Sequence, residues 1–511
     1  MVHSNCMVDE LEQRRPTAEA GEPQTEGPRA GGSLKGKVLR GSVWLVSGDA
    51  AGKVANVAKL AVLVRFLNPM DFGLMGMALV VLRWINAFTE TGFKDALIRK
   101  EGDIRPFLNT SWTIQILRGA LTGGVLCLCA PWVAGFFESP ALTDILRAIA
   151  LIPLVNGFRN PAVITLRKRL DLRGDVVLKL GGVMVGFLVA VPLAFALRSV
   201  WALVFSAIAA AVAEVMFSYW VLPYRPWPQL NWSQAREMGQ FGRWVMFSNI
   251  SAFLFLTLDG LLIGKLLGAE ALGVYQLGYQ LAVMPMVQLG VLSNSVMFPT
   301  FSTLRHPREA RRTFLKFMGL SWSVLLPACC FLAVCADPVV WLLFGSKWNA
   351  VAPVVQILAW GGAALALTVL GNSFFLGTGR PHLVTHVSAS RLSLLLVSIY
   401  PCVKYYGLHG AALAVAVAAG GAALYQFVLT MKLVGPTLQE AAEMVRVGLL
   451  GSVLFGLATV VVRPAPSLPF LGLISLAVMV YLLFLVRLVQ SHFGPLGNFA
   501  WPRSLRETLT F

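Results

Sequence analysis

Charged and amide side chains occur at helical spacing inside stretches of this chain that are otherwise apolar. In the first such stretch a polar stripe covers about 140° of a helix, and its members are Gly48, Asp49, Gly52, Lys53, Asn56 and Lys59. Further charges lie inside later apolar stretches, at Arg83, Glu90, Arg118, Glu214, Asp259 and Arg391. An ionised side chain is costly in lipid hydrocarbon, so these groups must face protein or water.

The signs of these charges favour binding of an anion. Basic residues outnumber acidic ones at depth, and Glu90 lies toward the end of its stretch. A cavity with excess positive charge suits an anionic ligand, so we predict that substrate is bound by Lys53, Arg83, Arg118 and Arg391. We predict gating or ion coupling for Lys59, Asp259, Asp49, Glu90 and Glu214. The alternative is that the charges only form ion pairs, such as Asp49 with Lys53 or Arg83 with Glu90.

Two patterns resemble ligand sites but lack essential parts. Residues 48–54 resemble a phosphate-binding loop, yet the spacing is one residue short and no Ser or Thr follows Lys53. His382 and His386 have i, i+4 spacing without an accompanying carboxylate. We therefore predict no metal site and no cofactor, while coupling to the membrane potential, to H⁺ or to Na⁺ stays open.

The elements that carry these residues are about fourteen apolar stretches, each long enough to cross a bilayer as a helix of about 20 residues. The chain is 57% hydrophobic and 13% charged, and no soluble segment is large enough for an active site, so we predict that it is not an enzyme. The fold class is an all-α polytopic membrane protein with about fourteen transmembrane helices, and the predicted spans include 241–266, 271–299, 351–377, 384–403 and 407–433. The predicted parts are a disordered cytoplasmic tail (1–40), two six-helix bundles (41–221 and 241–433), two additional helices (444–490) and a cytoplasmic tail (491–511).

The formal net charge of +17 reflects basic residues in alternate connections. Connections on one side are rich in Arg and Lys, as near Arg167 and Arg308, whereas those on the other side carry at most one, such as Arg65 or Lys347. The positive-inside rule then places both termini in the cytoplasm. The basic residues form no stripe with interleaved aromatics, so we predict no nucleic-acid partner.

An internal repeat relates the two predicted bundles. With an offset of 200 residues, Trp44 matches Trp244, Arg65 matches Lys265 and Gly73 matches Gly273 without a gap. Both segments open a group of six spans in the same direction. This is the parallel-repeat arrangement of transporters, with a pseudo-two-fold axis along the membrane normal and a central cavity.

The repeat also aligns Lys59 with Asp259. Both lie about 10 Å from the predicted outer ends of their helices, so they are candidates for a pair that forms only when the outer halves close. The alternative is that each charge is held within its own bundle by other partners.

Several separated blocks resemble the bacterial polysaccharide transporters of the O-antigen and exopolysaccharide flippase type. They are RFLNPMDFGLMGMALVV from Arg65, FGRWVMFSNISAFLFLTLDGLLIGKLLGAEALGVYQLGYQL at 241–281, FPTFSTL at 298–304 and LLFGSKWNAVAPVVQILAWGG at 342–362. The resemblance covers roughly residues 36–435 and implies a place in the multidrug/oligosaccharidyl-lipid/polysaccharide exporter superfamily. It also implies alternating access and transport of undecaprenyl-diphosphate-linked oligosaccharides from the inner to the outer leaflet of a bacterial cytoplasmic (inner) membrane.

We therefore predict a flippase for surface polysaccharide or lipopolysaccharide export. Its partners are the lipid-linked oligosaccharide and the membrane, with other polysaccharide assembly proteins as further candidates. One alternative is an ion-coupled exporter of small amphipathic molecules on the same scaffold, which would favour an acidic cavity. The other is a membrane glycosyltransferase or polymerase, which would need a large external loop that the sequence lacks.

Overall fold

The computed structural model describes residues 34–89, 93, 97, 103–168, 172–303 and 307–435. Within these ranges the chain is helical and contains no β-strand. The helices are α1 (Leu34–Phe66), α2 (Pro69–Thr89), α3 (Arg105–Phe136), α4 (Leu142–Ile149), α5 (Leu151–Gly157), α6 (Val163–Lys168), α7 (Leu172–Leu197), α8 (Trp201–Val221), α9 (Trp232–Thr303), α10 (Pro307–Val334), α11 (Ala336–Phe344), α12 (Val351–Gly377) and α13 (Pro381–Val434). A 3₁₀ turn at Ser346–Trp348 joins α11 to α12.

Seven helices within the described ranges are long and apolar enough to cross a membrane, namely α2, α3, α7, α8, α10, α12 and α13. The prediction of a helical, multi-pass membrane protein is thereby confirmed in its coarse form. Helix α1 begins at Leu34, earlier than the predicted boundary at Gly41. The predicted helices at 444–490, the tail at 491–511 and residues 1–33 of the other tail lie outside the described residues.

Two of the helices are each a pair of helices joined at a glycine. In α9, Gly268 has φ 82° and ψ −175°, and in α13, Gly407 has φ 55° and ψ −130°. Residues that carry a Cβ rarely adopt such backbone angles, whereas glycine does so without steric cost. We call the pieces of α9 its first arm (232–267) and second arm (269–303), and those of α13 its first arm (381–406) and second arm (408–434). The predicted spans separate near the same glycines.

Packing divides the helices into two groups that meet along α2 and α9. In the first group, α7 packs on both α1 and α8; in the second, α12 packs on α9 and α13. A contiguous apolar core crosses the boundary and includes Met77 of α2 with Ile263 and Leu272 of α9. Each of these three side chains is buried, so the boundary between the groups is a packed helix–helix interface.

The connection from α8 to α9 is an extended segment held against the first group. Its prolines, Pro223, Pro226 and Pro228, cannot donate a backbone hydrogen bond and disfavour a helix. Asn160 Nδ2 donates to the carbonyl oxygens of Leu222 and Tyr224, at 3.4 and 2.9 Å. These side-chain hydrogen bonds take the place of the backbone hydrogen bonds that a helix would make here. They fix the point at which the chain enters the second group.

Candidate functional site

Lys53 lies where helix α1 faces the second group of helices. On one edge of α1, Gly52 packs on Leu180 of α7, where a Cβ would stand 3.5 Å from that side chain. On the neighbouring edge, the exposed Lys53 donates from Nζ to Oε1 of Gln288 in the second arm of α9, at 2.8 Å. The polar stripe of α1 therefore has a polar contact across the two groups, as its cost in hydrocarbon requires.

Measured along its own helix, each of the four predicted substrate cations lies about 20 to 27 Å from an end on the same predicted side of the membrane. From the ~1.5 Å rise per residue, Lys53 lies about 20 Å before the end of α1 and Arg83 about 21 Å after the start of α2. Arg118 lies about 27 Å before the end of α3, and Arg391 about 24 Å before the kink of α13. Arg83 is exposed, whereas Arg118 and Arg391 are partly buried. That the four cations bind one anion stays a prediction.

Arg391 shares its surroundings with Asp259. The hydroxyl of Tyr275, which is 2% exposed, donates to Oδ2 of Asp259 at 2.7 Å. The ring of Tyr279 packs 6.0 Å from that of Tyr275, and the charges of Arg391 and Asp259 both act on these two tyrosines. One predicted substrate cation and one predicted gating carboxylate of the second group thus act electrostatically on the same two tyrosines.

Replacing Tyr275 with phenylalanine is expected to lower the free energy of unfolding by about 1–3 kcal/mol, because Asp259 loses its buried hydrogen-bond donor. Thermal unfolding of the purified protein in detergent measures this loss. Tyr279→Phe is the matched control, since the hydroxyl of Tyr279 makes no hydrogen bond within the described residues. Equal stability of the two variants would contradict a specific role for the bond to Asp259.

Glu214 belongs to an ion pair inside the first group. Its Oε2 lies 3.2 Å from Nη1 of Arg159, and the two side chains are only 31% and 21% exposed. Gly182 of α7 makes room for the pair, since a Cβ there would stand 2.5 Å from Cγ of Glu214. The pair ties α8 to the residues that follow α5, which is the structural role that the sequence left as an alternative. A gating role for Glu214 stays a prediction.

Lys59 and Asp259 are not paired in this structure. Lys59 is partly buried and has no hydrogen bond or ion pair with any other described residue, while Asp259 accepts the bond from Tyr275. This arrangement favours separate partners, and the pairing in another conformation stays a prediction. The side chain of Asp49 and the whole of Glu90 lie outside what the structure describes.

The two groups touch backbone to backbone at the end of the molecule that contains the end of α1 and the kink of α9; we call it the closed end. A Cβ on Gly73 of α2 would overlap the carbonyl oxygen of Ala269, and a Cβ on Gly273 would overlap that of Pro69. Under the 200-residue offset, position 69 corresponds to 269 and 73 to 273. The two contacts are therefore reciprocal, which is the pattern produced by a two-fold axis.

The turn between α11 and α12 also contacts α1 at the closed end. Trp348 Nε1 donates to the carbonyl oxygen of Val64 at 2.8 Å, and Lys347 Nζ donates to that of Leu67 at 2.9 Å. Trp348 is 1% exposed, and its ring lies edge-on to Phe72 of α2 at 5.4 Å. Both donors come from the second group and both acceptors from the first.

A third link at the closed end joins Lys265 in the first arm of α9 to Glu138, which follows α3. Nζ of Lys265 lies 2.8 Å from Oε1 of Glu138 and 5.2 Å from the centre of the Phe136 ring. The hydrogen bond and charge of Lys265 lower the pKa of Glu138, so the carboxylate is ionised at neutral pH. Because Glu138 is exposed to solvent, the pair orients the two side chains but adds little to the free energy of unfolding.

Three residues that make these contacts were not singled out from the sequence alone. Gln288 is an ordinary amide 235 residues from Lys53, and nothing in its neighbourhood marks it. Tyr275 and Trp348 lie within blocks that carried the family resemblance, at 241–281 and 342–362, but their contacts were not inferred. Within the described residues, no group of three His, Cys, Asp or Glu side chains is placed to hold a metal ion.

Comparison with known proteins adds a family and a fold to this geometry. A sequence profile described as "Polysaccharide biosynthesis protein" matches residues 62–353, more than half of the chain. The lipopolysaccharide biosynthesis protein WzxC of Escherichia coli is 25% identical over 333 residues, covering 64% of this chain and 67% of its own. The teichuronic acid biosynthesis protein TuaB of Bacillus subtilis is 23% identical over 376 residues, covering 73% and 78%.

Among relatives with transport in their names, the succinoglycan biosynthesis transport protein ExoT of Rhizobium meliloti is 26% identical, covering 63% of this chain and 65% of its own. Among solved structures, the lipid II flippase MurJ in an inward closed conformation matches with a TM-score of 0.70 at 10% identity. The match covers 88% of this chain and 99% of MurJ. At that identity the likeness shows a shared fold.

Proposed function

This chain belongs to the polysaccharide biosynthesis protein family, and on that premise we propose that it is a flippase for lipid-linked oligosaccharides. Its substrate would be an undecaprenyl-diphosphate-linked repeat unit, moved across the bacterial cytoplasmic membrane for surface or exopolysaccharide export. The observation that carries the proposal is Lys53, a cation near mid-membrane that reaches from one helix group to Gln288 of the other. A diphosphate crossing the membrane needs such positive groups to offset its desolvation.

The oligosaccharide and the prenyl chain of the proposed substrate need different surroundings. An oligosaccharide cannot enter hydrocarbon without losing its hydrogen bonds to water, so it needs a polar passage between the helix groups, whereas the prenyl chain can stay in the bilayer. The membrane potential adds a driving force, since each negative charge moved outward gains about 2.3 kcal/mol per 100 mV. A diphosphate that travels without cations would gain roughly twice that amount.

We propose that transport occurs by alternating access between two six-helix bundles, 41–221 and 241–433, within a total of about fourteen spans. Support comes from the reciprocal contacts of Gly73 with Ala269 and of Gly273 with Pro69, because a pseudo-two-fold axis would produce such a pair of contacts. The charge distribution of the connections supports an orientation with both termini in the cytoplasm and the closed end outward.

An exporter of small amphipathic cations on the same scaffold is the second candidate. It would need excess acid where this chain has Lys53, Arg83 and Arg118. Among the carboxylates whose side chains the structure describes, Glu214 pairs with Arg159 and Asp259 accepts a hydrogen bond from Tyr275. These two pairings support an anionic substrate rather than a cationic one.

Deletion of the gene in its own host distinguishes the two candidates. A flippase predicts loss of surface polysaccharide together with accumulation of lipid-linked units on the inner leaflet, both restored by the wild-type gene. Restoration should fail with Lys53→Gln but succeed with Lys404→Gln, an exposed lysine far from the site. Unchanged polysaccharide with greater sensitivity to cationic dyes would contradict the flippase and favour the exporter.

A further inference from the structure

The C-terminal end of helix α1 receives its hydrogen bonds from a distant part of the chain. The last carbonyl groups of a helix have no partner within that helix and need donors from elsewhere. Here the backbone amide of Asn68, which follows the helix, donates to Oδ2 of Asp71 at 2.9 Å and not to the carbonyl oxygen of Val64. The carbonyl oxygen of Val64 is therefore available to an external donor.

Lys347 and Trp348 supply these donors across 280 or more residues of chain. Trp348 Nε1 bonds the carbonyl oxygen of Val64, and Lys347 Nζ bonds that of Leu67. The ammonium group also lies at the helix end where the backbone dipole favours a positive charge. Since Val64 and Leu67 are fully buried, water cannot replace these donors while the two helix groups stay together.

We propose that Lys347 and Trp348 form a removable cap on α1, and that release of this cap opens the closed end of the transport path. The inference rests on the proposed alternating-access function and names the positioning residues for one of its steps. The cap bonds exist only when the two groups are in contact, so they favour the closed state by their differential free energy. Three of the blocks that carry the family resemblance meet here, at Leu67–Phe72, Ala269–Gly273 and Lys347–Trp348.

The test measures access to the path from the closed end without any substrate. All seven native cysteines are replaced, and Asn56→Cys is introduced on the exposed face of α1 one turn from Lys53. A membrane-impermeant thiol reagent is then applied to right-side-out and to inverted vesicles. We expect slow labelling from the outer side and fast labelling from the inner side; fast outer labelling of this parent protein would overturn the closed-end assignment.

Trp348→Phe removes the indole donor while keeping an aromatic ring in the core. We expect it to raise the outer labelling rate at position 56 by about five- to tenfold, the effect of one lost hydrogen bond on a two-state equilibrium. Lys347→Met should act in the same direction, and because Lys347 is exposed it leaves the core packing intact. Trp341→Phe is the matched control, since Trp341 is 46% exposed on the neighbouring α11, and should leave the rate unchanged.

The outcomes separate this inference from the proposed function. Unchanged outer labelling in both Trp348→Phe and Lys347→Met, with both proteins folded and inserted, would overturn the cap as a gate. A rise in labelling that Trp341→Phe matches would also overturn it, because the effect would then be general. A specific rise in a protein that fails to move lipid-linked oligosaccharide would uphold the cap and refute the flippase proposal.

Discussion

Replacing Arg83 with glutamine is expected to abolish transport of the lipid-linked oligosaccharide while leaving the protein folded. Arg83 is exposed on α2 at nearly the same depth as Lys53. An arginine there that faced lipid would be costly, so we infer that it faces the path between the helix groups. Loss of a hydrogen bond to a charged ligand costs about 1.5–3 kcal/mol, and the expected fall in initial transport rate is at least about tenfold.

Arg83→Lys should be milder than Arg83→Gln but not silent, because lysine keeps the charge and lacks the planar fork that binds two phosphate oxygens at once. Arg147→Gln is the control. Its side chain is 53% exposed near the closed end and, within the described residues, pairs with Asp144 at 3.7 Å, so the transport rate of this variant should match that of the wild type. Full activity of both Arg83→Ala and Lys53→Ala at normal abundance would refute the anion site.

The helices that cross the membrane were predictable because bilayer thickness fixes their length and composition. The apolar stretch at 351–377 became a helix with the same bounds, Val351–Gly377. The division of α9 near Gly268 followed from the gap between two predicted spans. The repeat likewise aligned Gly73 with Gly273, and the structure places both in equivalent contacts. These features depend on patterns local to each segment or on a comparison of the chain with itself.

The contacts that link the two helix groups were less predictable, for two physical reasons. Trp348 and Lys347 bond backbone carbonyl groups, which every residue carries, so no side-chain type marks the acceptors. Gln288 meets Lys53 only because two helices 235 residues apart are brought together. The charge on Lys53 signalled that a partner or a ligand was needed, but not which one.

Replacing Gly73 with alanine is expected to force α2 and α9 apart at the closed end. The group that a new Cβ would meet is the backbone carbonyl of Ala269, which cannot rotate away as a side chain does. Overpacking of this kind costs about 1–3 kcal/mol, against a gain of up to about 1 kcal/mol in helix propensity. The melting temperature should fall, and outer labelling of Asn56→Cys should rise.

Gly273→Ala should reproduce this effect, because it meets Pro69 in the reciprocal contact. Once either alanine has separated the helices, the second alanine causes less steric overlap. The loss of stability in the double variant should therefore be smaller than the sum of the losses in the two single variants. Gly135→Ala is the matched control: nothing lies within 4 Å of its Cβ position, and it should be neutral or stabilising. Wild-type stability and labelling in Gly73→Ala and Gly273→Ala would show that the closed end does not depend on this contact, whereas strictly additive losses would mean that the two contacts act independently rather than as one interface.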